Sequence, residues 1–569
     1  MTSPSSRILT NGKVVTLDDS SRIFQSIAIV GRRIVALGSM EQVQGVAGQN
    51  CEIIDLGGRA VIPGLIDTHA HMDREGLKAI GPSLSGCRNI ADVLERVDAA
   101  ARAAAPGEWI VTMPAGAPPY YWDDVSNLAE RRLPNRREID RVSPRNPVYI
   151  RPIWGYWRNA PNPERMVSAA NSLALAESGL TPRSVMPVGT IMPEIEPETG
   201  ELSGIFVETG ATPIVELLLL GGGSRFTAAQ RRDGVLRAMS AYNALGTTGV
   251  YEGHGVSSEV FRAYRACHPT PGLTVRVRMT QSPAWGVVGD ADAAAMISQW
   301  AYFAGGLGDP MLSLNGLYVD HRFGADDLVR GRAAPYTGWA GYHYDSSLPR
   351  PRLKQALLAA ARSDIQCVAT SAEILDLLEE VDREAPLAGR RWALQHIGML
   401  SPARCDVAAR LGLVVAPLTI RHIYKEGRAA DAPGNSDFVP LARLTDMGVR
   451  LTLASDNAPP SLFHSIWHAV ARKDRFGRPV PPDHEKLTRE QALRAATVNG
   501  AYLTFEEHDR GTLEVGKLAD LAVLSDDPLT CAEDRLPEIR SLLTIVDGRI
   551  VHRDAAPDGV RGGLQYSYP

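Results

Sequence analysis

The sequence predicts an α/β protein with three parts: a distorted TIM (β/α)8 barrel, a small β-sandwich formed by both chain termini, and an inserted lid subdomain. Strand-like and helix-like segments alternate over about 450 residues in the middle of the chain, as they do in a β/α barrel. Both ends instead carry short β-branched segments separated by turn signals. An apolar run of strand length that ends in His69-Ala70-His71 indicates where the barrel begins.

The terminal sandwich is predicted from strand–turn–strand patterns at both ends of the chain. Asn11-Gly12 is a strong hairpin turn between apolar segments, and residues 543–551 repeat the pattern near the C-terminus. Each end is too short to be a secure β-domain, so we expect the two ends to pair. The predicted division is a sandwich of residues 1–60 plus 508–569, a barrel of residues 61–507, and a lid of about residues 115–235 that is rich in Pro and Gly.

The barrel elements are predicted from hydrophobic periodicity. Apolar residues recur at helical spacing in three segments, and short β-branched runs precede or separate them. The predicted helices are residues 91–102, 353–362 and 489–498. The predicted strands are residues 246–252, 314–320, 366–370, 392–396, 413–418 and 451–456.

Composition excludes several classes of partner. The 569 residues carry a formal net charge of −5 with both signs dispersed, which predicts no nucleic-acid footprint and no membrane patch. No apolar run approaches the roughly 20 residues of a bilayer span, and the N-terminus has no signal-peptide pattern. The six cysteines form no CxxC pair and indicate free thiols, so we expect a cytoplasmic protein without disulfides.

Two histidines and one aspartate form the core of a predicted metal site. Alternate side chains of a strand share a face, so His69 and His71 can present two imidazoles to one ion. TIM-barrel sites lie at the C-terminal ends of the strands, and Asp456 ends the last predicted strand. The ordinary alternatives are two unrelated surface histidines and a turn or helix-capping aspartate.

Motifs spread over nearly the whole chain resemble the amidohydrolase superfamily of metal-dependent hydrolases. Residues 61–73 resemble its first-strand signature, and the Leu513-x-x-Gly516-Lys517-x-Ala519-Asp520 pattern resembles the segment that closes its sandwich. The likeness is strongest to the branch of N-substituted formamide deformylase and YtcJ-like proteins. Segments that carry this likeness are residues 137–150, 170–175 and 510–517.

The resemblance implies roles for residues at other strand ends. Asp456 would bind the metal and accept the proton of the attacking water. His396, in a motif similar to H-x-x-x-[LI]-S-P, would bind a second metal or contact a substrate oxygen. Glu252, in what reads as the third strand, is a candidate ligand, and His254 beside it is a candidate ligand or catalytic residue.

Two departures from the branch pattern predict a one-metal site. The fourth-strand segment, residues 314–321, lacks the usual bridging Lys, and the fifth, residues 367–373, lacks the usual His. A two-metal site needs both a bridge and enough ligands. The ion would therefore be held by His69, His71 and Asp456, with water or one of Glu252, His254 and His321 as a fourth ligand. This mixed set favours one Zn²⁺, and Mn²⁺ or Fe²⁺ are also compatible.

Aromatic residues in the predicted lid suggest an apolar or aromatic substrate. The candidate substrate contacts are Tyr121, Trp122, Trp154, Tyr156, His321 and Arg421, the last two chosen by position in the fourth and seventh strand segments. The alternative for the aromatic residues is ordinary packing within a loop-rich subdomain.

Together these patterns predict a hydrolase that cleaves a C–N bond, an amide or N-formyl group, of a small molecule by metal-activated water with Asp456 as general base. Missing second-metal ligands leave open a lyase, a decarboxylase or a retro-aldol C–C cleaving enzyme on the same barrel. A non-catalytic binding protein is a third reading, disfavoured because the HxH pair and Asp456 occur together. The branch resemblance also suggests a homodimer.

Overall fold

The computed structural model describes residues 6–48, 50–118, 121, 125–154, 157, 165–210, 213–223, 225–269, 272–285, 293–301, 305–321, 329, 331–343, 346–425, 427 and 437–554. Within them, a mixed α/β architecture is built around a nine-stranded sheet with eight parallel strands in chain order. These strands are β1 (Leu65–Asp67), β2 (Thr247–Val256), β3 (Arg276–Gln281), β4 (Leu312–Tyr318), β5 (Gln366–Ala369), β6 (Ala393–Ile397), β7 (Val414–Pro417) and β8 (Arg450–Leu451). The ninth, Leu307–Gly308, runs antiparallel to β4.

The parallel sheet curves as a half-barrel whose two edges meet through hydrogen bonds. Thr68, just after β1, donates its hydroxyl to the carbonyl oxygen of Leu453 at 3.0 Å. The backbone N–H of Asp456, after β8, donates to the carbonyl oxygen of His69 at 2.9 Å. The C-terminal ends of the first and last strands are therefore neighbours, although they are far apart in the sequence.

Helices pack against this sheet, and the predicted helical periods are found with their ends shifted by a few residues. The helix at Ile90–Ala103 begins where the Asn89 side chain accepts a hydrogen bond from the N–H of Asp92. Among the described residues, no helix combines the length and apolar character needed to cross a membrane. The other α-helices are Met40–Ala47, Met72–Leu77, Arg136–Val142, Ser172–Glu177, Ala228–Ala244, Ser258–Cys267, Ala293–Gln299, Arg350–Arg362, Leu375–Glu384, Pro402–Arg410, Leu441–Asp446, Leu462–Ala471, Arg489–Ala495 and Val498–Leu503.

Strands from both ends of the chain share one sheet. Ala60–Pro63 pairs with Leu521–Leu524 in antiparallel register. A hydrophobic cluster draws buried residues from this sheet and from a second, four-stranded N-terminal sheet. The six-stranded sheet contains Lys13–Val15, Ile23–Phe24, Ala60–Pro63, Leu521–Leu524, Ser541–Val546 and Arg549–Arg553, and the four-stranded sheet contains Ser6–Thr10, Ser26–Val30, Arg33–Gly38 and Glu52–Asp55.

The weakly periodic stretch between β1 and β2 forms a sheet of its own. Five strands pair here, and their cores are separate from that of the parallel sheet. The strands are Ile110–Val111, Val148–Ile150, Met166–Ala170, Ile191–Ile195 and Leu202–Glu208, and a short pair, Asp320–His321 with Ser347–Leu348, lies after β4.

One barrel strand has no counterpart among the predicted strands. β3 carries Arg276 and Arg278, which make it look too polar for a buried strand, yet both side chains are buried. Arg276 pairs with Asp520 at 2.6 Å and with Asp547 at 2.9 Å, so its charge is compensated by the C-terminal segment. Because β3 follows residues 247–256 in the sheet, that segment is the second strand and not the third.

Arg276→Met should lower the free energy of unfolding by about 3–5 kcal/mol, because it removes a buried cation and leaves the carboxylates of Asp520 and Asp547 without it. Arg32→Met is the matched control, since Arg32 also pairs with Asp547 but its side chain is 54% exposed. That variant should lose at most about 1 kcal/mol. Urea denaturation measures both, and equal losses would show that the buried network does not tie β3 to the terminal sheet.

Candidate metal centre

The segment after β1 is shaped by a buried carboxylate and not by strand alternation. β1 ends at Asp67, so His69 and His71 lie beyond it, and His71 has a left-handed backbone with φ 45°. Asp67 accepts hydrogen bonds from the N–H of His69 at 3.2 Å and from the N–H and hydroxyl of Ser455. Burial raises the pKa of Asp67 to about 6. The expectation that the two histidines share a strand face was therefore wrong, and a turn brings them together.

Left-handed backbone recurs at the other strand ends around this point. His396, Asp456 and Asn457 have φ values of 61°, 51° and 46°. Non-glycine residues adopt this conformation rarely and at a cost, and such residues concentrate at functional sites. The Asn457 side chain also donates to the carbonyl oxygen of His71 at 3.2 Å, which links the first and last strand ends again.

Nitrogen and oxygen donors converge on one buried point. His69 Nε2 lies 3.1 Å from His71 Nε2 and 2.9 Å from His396 Nε2. Asp456 places Oδ1 3.5 Å from His71 Nε2 and Oδ2 3.9 Å from His396 Nε2. The donors form two sets that share His69. One set is His69, His71 and Asp456, the other is His69, His254 and His396, and the ligand atoms within each set lie within 4.8 Å of one another.

This donor set fits a divalent metal ion. Nitrogens about 2.0–2.1 Å from one zinc ion lie roughly 3 Å apart, as the Nε2 atoms do here. Burial is the largest cause that lowers the pKa of His69 and holds the pKa values of His71, His254 and His396 well below their usual range. The imidazoles are therefore neutral near pH 7 and offer lone pairs to a cation.

A hydrogen bond to Gln395 fixes the ring of His69. His69 Nδ1 donates to Gln395 Oε1, and the Gln395 amide nitrogen donates to the carbonyl oxygen of Thr68 at 2.8 Å. This amide orientation places the proton on Nδ1 and the lone pair of Nε2 towards the centre. Gly253 makes the contact possible, because a Cβ there would lie 2.2 Å from Gln395 Oε1.

Glu252 lies behind His71 and outside both donor sets. Its Oε2 is 3.9 Å from His71 Nδ1, and its Oε1 accepts from the N–H of Met72 and from the hydroxyl of Tyr264. Burial is the main cause that raises the pKa of Glu252 to about 8. The Glu252 carboxyl group therefore stands on the far side of His71, and its raised pKa keeps it protonated near pH 7.

His254 reaches the centre because β2 is distorted near its end. The pairing register of β2 with β3 shifts between Glu252 and Val256, and Gly255 has φ 79°. The His254 ring stacks on Tyr342, with centroids 4.0 Å apart. Tyr318, the last residue of β4, lies 4.6 Å from the same ring. Aromatic rings therefore stand on the side of the centre where β4 carries no Lys.

The described lid aromatics are buried and pack on one another. Trp154 and Tyr121 lie 5.6 Å and 5.9 Å from Trp157 between ring centroids. We call this group the aromatic cluster. It consists of Leu77, Met113, Tyr121, Ile153, Trp154, Trp157, Leu217, Phe226, Tyr336, Trp339, Ala340, Tyr342 and Ala458. Tyr342 and Ala458 connect it to the centre, whereas Trp122 and Tyr156 lie outside the described residues.

The remaining two candidate substrate contacts are His321 and Arg421. His321 is half-buried in the short strand after β4 and belongs to neither donor set. Arg421 is exposed at the start of a π-helical turn, Ile420–Lys425, and its charge helps to lower the pKa of His396, after the larger effect of burial. His396 keeps 15% of its side chain exposed, so the centre opens towards this turn.

Tyr342, Gln395 and Tyr318 are site residues that the sequence reasoning missed. Gln395 could have been found, because it precedes His396 in a strand that was already assigned to the barrel. Tyr342 comes from an irregular loop whose sequence carries no periodicity to place it.

Comparisons with known proteins agree with this fold and site. The sequence profile of the amidohydrolase family matches residues 52–552. N-substituted formamide deformylase of Arthrobacter pascens is 27% identical, over 96% of this chain and 98% of its own length. YtcJ of Bacillus subtilis (strain 168) is 22% identical over 95% and 98%. The crystal structure of an uncharacterized metal-dependent hydrolase from Pyrococcus furiosus superposes with a TM-score of 0.65 at 18% identity, over 92% of this chain and all of that one.

A parallel half-barrel with histidines and an aspartate at its strand ends defines a metal-dependent hydrolase of carbon–nitrogen bonds other than peptide bonds. The chain belongs to the amidohydrolase family. The predicted likeness to the formamide deformylase and YtcJ branch is confirmed by the two relatives above.

Gln395→Leu should weaken metal affinity by about 10–100-fold, because His69 loses the acceptor that orients its ring. Gln395→Glu retains an acceptor at the same place and should bind metal nearly as the wild type does. Competition with a chelating dye measures both affinities. An unchanged affinity in the leucine variant would contradict the role given to Gln395.

Proposed function

We propose that this protein hydrolyses the amide or N-formyl C–N bond of a small apolar or aromatic substrate at a centre holding one divalent metal ion, with Asp456 as general base. The observation that carries the proposal is a pair of buried donor sets that share His69, one with His71 and Asp456 and the other with His254 and His396. Zn²⁺ suits this mixed nitrogen and oxygen set, and Mn²⁺ or Fe²⁺ remain compatible.

A single ion is favoured by what surrounds the donors. Within the described strands, β4 has no Lys and β5 no His, so neither contributes to a second cation site. His254 from β2 supplies an imidazole nitrogen that β5 does not. We propose that His69, His71, His254 and Asp456 hold the ion, and that Glu252 supports His71 instead of binding metal itself.

The bound ion would supply Lewis acidity, which acidifies water and polarises a carbonyl. The two oxygens of Asp456 suit two tasks, since Oδ1 faces His71 and Oδ2 faces His396 on the more open side. We propose that Oδ2 accepts a proton from water and passes it to the leaving nitrogen. We propose that His396 donates a hydrogen bond to the oxygen on which charge develops.

The substrate proposal rests on the aromatic cluster and on the deformylase relative. Tyr342, Trp157 and Ala458 bring apolar surface next to the donors, with Trp157 Nε1 3.4 Å from Asn457 Oδ1. The relative named N-substituted formamide deformylase supports an N-substituted formamide as the substrate class, and the apolar surface supports an apolar substituent. We propose that residues about 115–235 select the substituent while residues 61–507 carry the chemistry. The terminal sandwich, a homodimer and a cytoplasmic location remain predictions.

Metal analysis tests the centre directly. The wild-type protein should contain one divalent ion per chain by inductively coupled plasma mass spectrometry, and His69→Ala should lose it because both donor sets contain His69. His268→Ala is a matched control, since His268 lies at the surface and pairs with Asp309. Two ions per chain in active protein would contradict the one-metal proposal.

Product analysis tests the reaction. Asp456→Asn should lower kcat by about 10²–10⁴-fold towards N-substituted formamides, because the proton acceptor is lost. Asp446→Asn, an exposed position, should leave kcat unchanged. In H₂¹⁸O, hydrolysis puts solvent oxygen into the released formate, as mass spectrometry would detect. A turnover product without label would favour the lyase or retro-aldol alternative, which the missing second-metal ligands also suit.

A further inference from the structure

His254 is oriented differently from His69, whose Nδ1 donates a hydrogen bond to Gln395. At His71 the nearest oxygen of Glu252 lies 3.9 Å from Nδ1, beyond hydrogen-bond distance. Among the described residues, the buried Nδ1 of His254 has no hydrogen-bond partner. A ligand histidine ordinarily donates the N–H that faces away from the metal to a partner that fixes its ring. Within the described residues, neither ring nitrogen of His254 has such a partner. Something other than a hydrogen bond must therefore set the His254 ring.

Tyr342 provides that constraint by packing. Its ring lies 4.0 Å from the His254 ring with an interplanar angle of 13°, and Tyr318 lies 4.6 Å away on an adjacent side. Rotation of the imidazole about its Cβ–Cγ bond would drive it into one of these rings. His254 is 8% exposed and Tyr342 6%, so neither ring has open space to move into.

Tyr342 is itself held by a loop that we call the clamped loop, residues 337–343. Two buried arginines donate hydrogen bonds to its backbone. Arg74 donates to the carbonyl oxygen of Ala340 at 3.0 and 2.8 Å. Arg231 donates to the carbonyl oxygen of Gly338 at 2.8 Å. The N–H of Ser257, just after β2, donates to the carbonyl oxygen of Gly341 at 2.7 Å. The loop is thus fixed to three separate elements.

Arg74 is committed to this loop. It lies three residues after His71, is buried, and within the described part of the chain has no carboxylate at ion-pair distance, although it stacks over Trp154 at 4.4 Å and Tyr342 at 5.6 Å. Its hydrogen bonds go to Ala340. Gly341, at φ 71°, brings the loop so close that a Cβ there would lie 3.1 Å from Asp73 of the same short helix. The short helix that follows the HxH pair therefore also fixes the position of the clamped loop.

We infer that Tyr342 is a positioning residue that aims His254 at the metal, and that Arg74 holds the clamped loop for this purpose. Stacking by Tyr342 takes the place of the hydrogen bond that fixes a ligand histidine. The inference rests on the proposed metal centre and adds to it a residue that acts through a ligand and is not itself a ligand.

The test uses Co²⁺-substituted full-length protein, whose visible spectrum reports the ligand set independently of catalysis. Tyr342→Phe keeps the ring and should retain the wild-type spectrum and Co²⁺ affinity. Tyr342→Ala should change the spectrum and weaken Co²⁺ binding by about 10–100-fold, the range expected when an orienting partner of a ligand is lost. Should the alanine variant not fold, Tyr342→Leu replaces it, because leucine fills more of the volume but has no aromatic face. It should change the spectrum and weaken Co²⁺ binding in the same way.

Two further variants separate positioning from general packing. Tyr336→Ala removes a buried aromatic residue of the same cluster that has no ring contact with His254 within the described residues, and should leave the Co²⁺ spectrum unchanged. Adding Tyr342→Ala to His254→Ala should cause no further loss of Co²⁺ affinity, because Tyr342 acts only through His254.

An unchanged spectrum and affinity in Tyr342→Ala, or additive losses in the double variant, would overturn the inference. Wild-type protein that binds Co²⁺ and shows these variant effects, but hydrolyses no amide or formamide, would overturn the proposed function and leave the inference standing. Wild-type protein that binds no Co²⁺ would overturn both.

Discussion

The candidate centre depends on one buried contact, in which the Asp67 carboxylate holds Ser455 and the backbone of His69 together. Asp67 is fully buried, and it accepts hydrogen bonds from both strand ends. A buried carboxylate without such partners would be costly, so the first and last strands are held where they can satisfy it. The turn that follows places the Nε2 atoms of His69 and His71 3.1 Å apart, next to Asp456.

Three histidines of the centre have different neighbours on their far sides. An amide orients His69, a carboxylate stands behind His71, and an aromatic face covers His254. The first acts through an N–H and a lone pair, whereas the third acts through the shape of the packed rings.

Much of the fold was predictable because it follows from periodicity. Helical and strand patterns located most barrel elements, and Asp456 and His396 both belong to the donor sets. The last strand is shorter than predicted, since it ends at Leu451 and Asp456 lies in a turn beyond it. β3 was missed because the partners of its two arginines lie more than 200 residues away, so nothing local marks the strand as buried. Glu252 and His254 could not be told apart by strand alternation, since the strand loses its regular register between them and Val256.

The sequence by itself determined which residue types could bind a metal, and it determined that β4 and β5 lack the usual ligands. These are properties of single positions and short motifs, so no folded chain is needed to read them. The tertiary structure alone decided that His254 faces the centre, that Glu252 stands behind His71, and that Gln395 and Tyr342 orient their neighbours. Those roles depend on a glycine-distorted strand and an irregular loop, whose side-chain directions are set by long-range packing rather than by any local repeat.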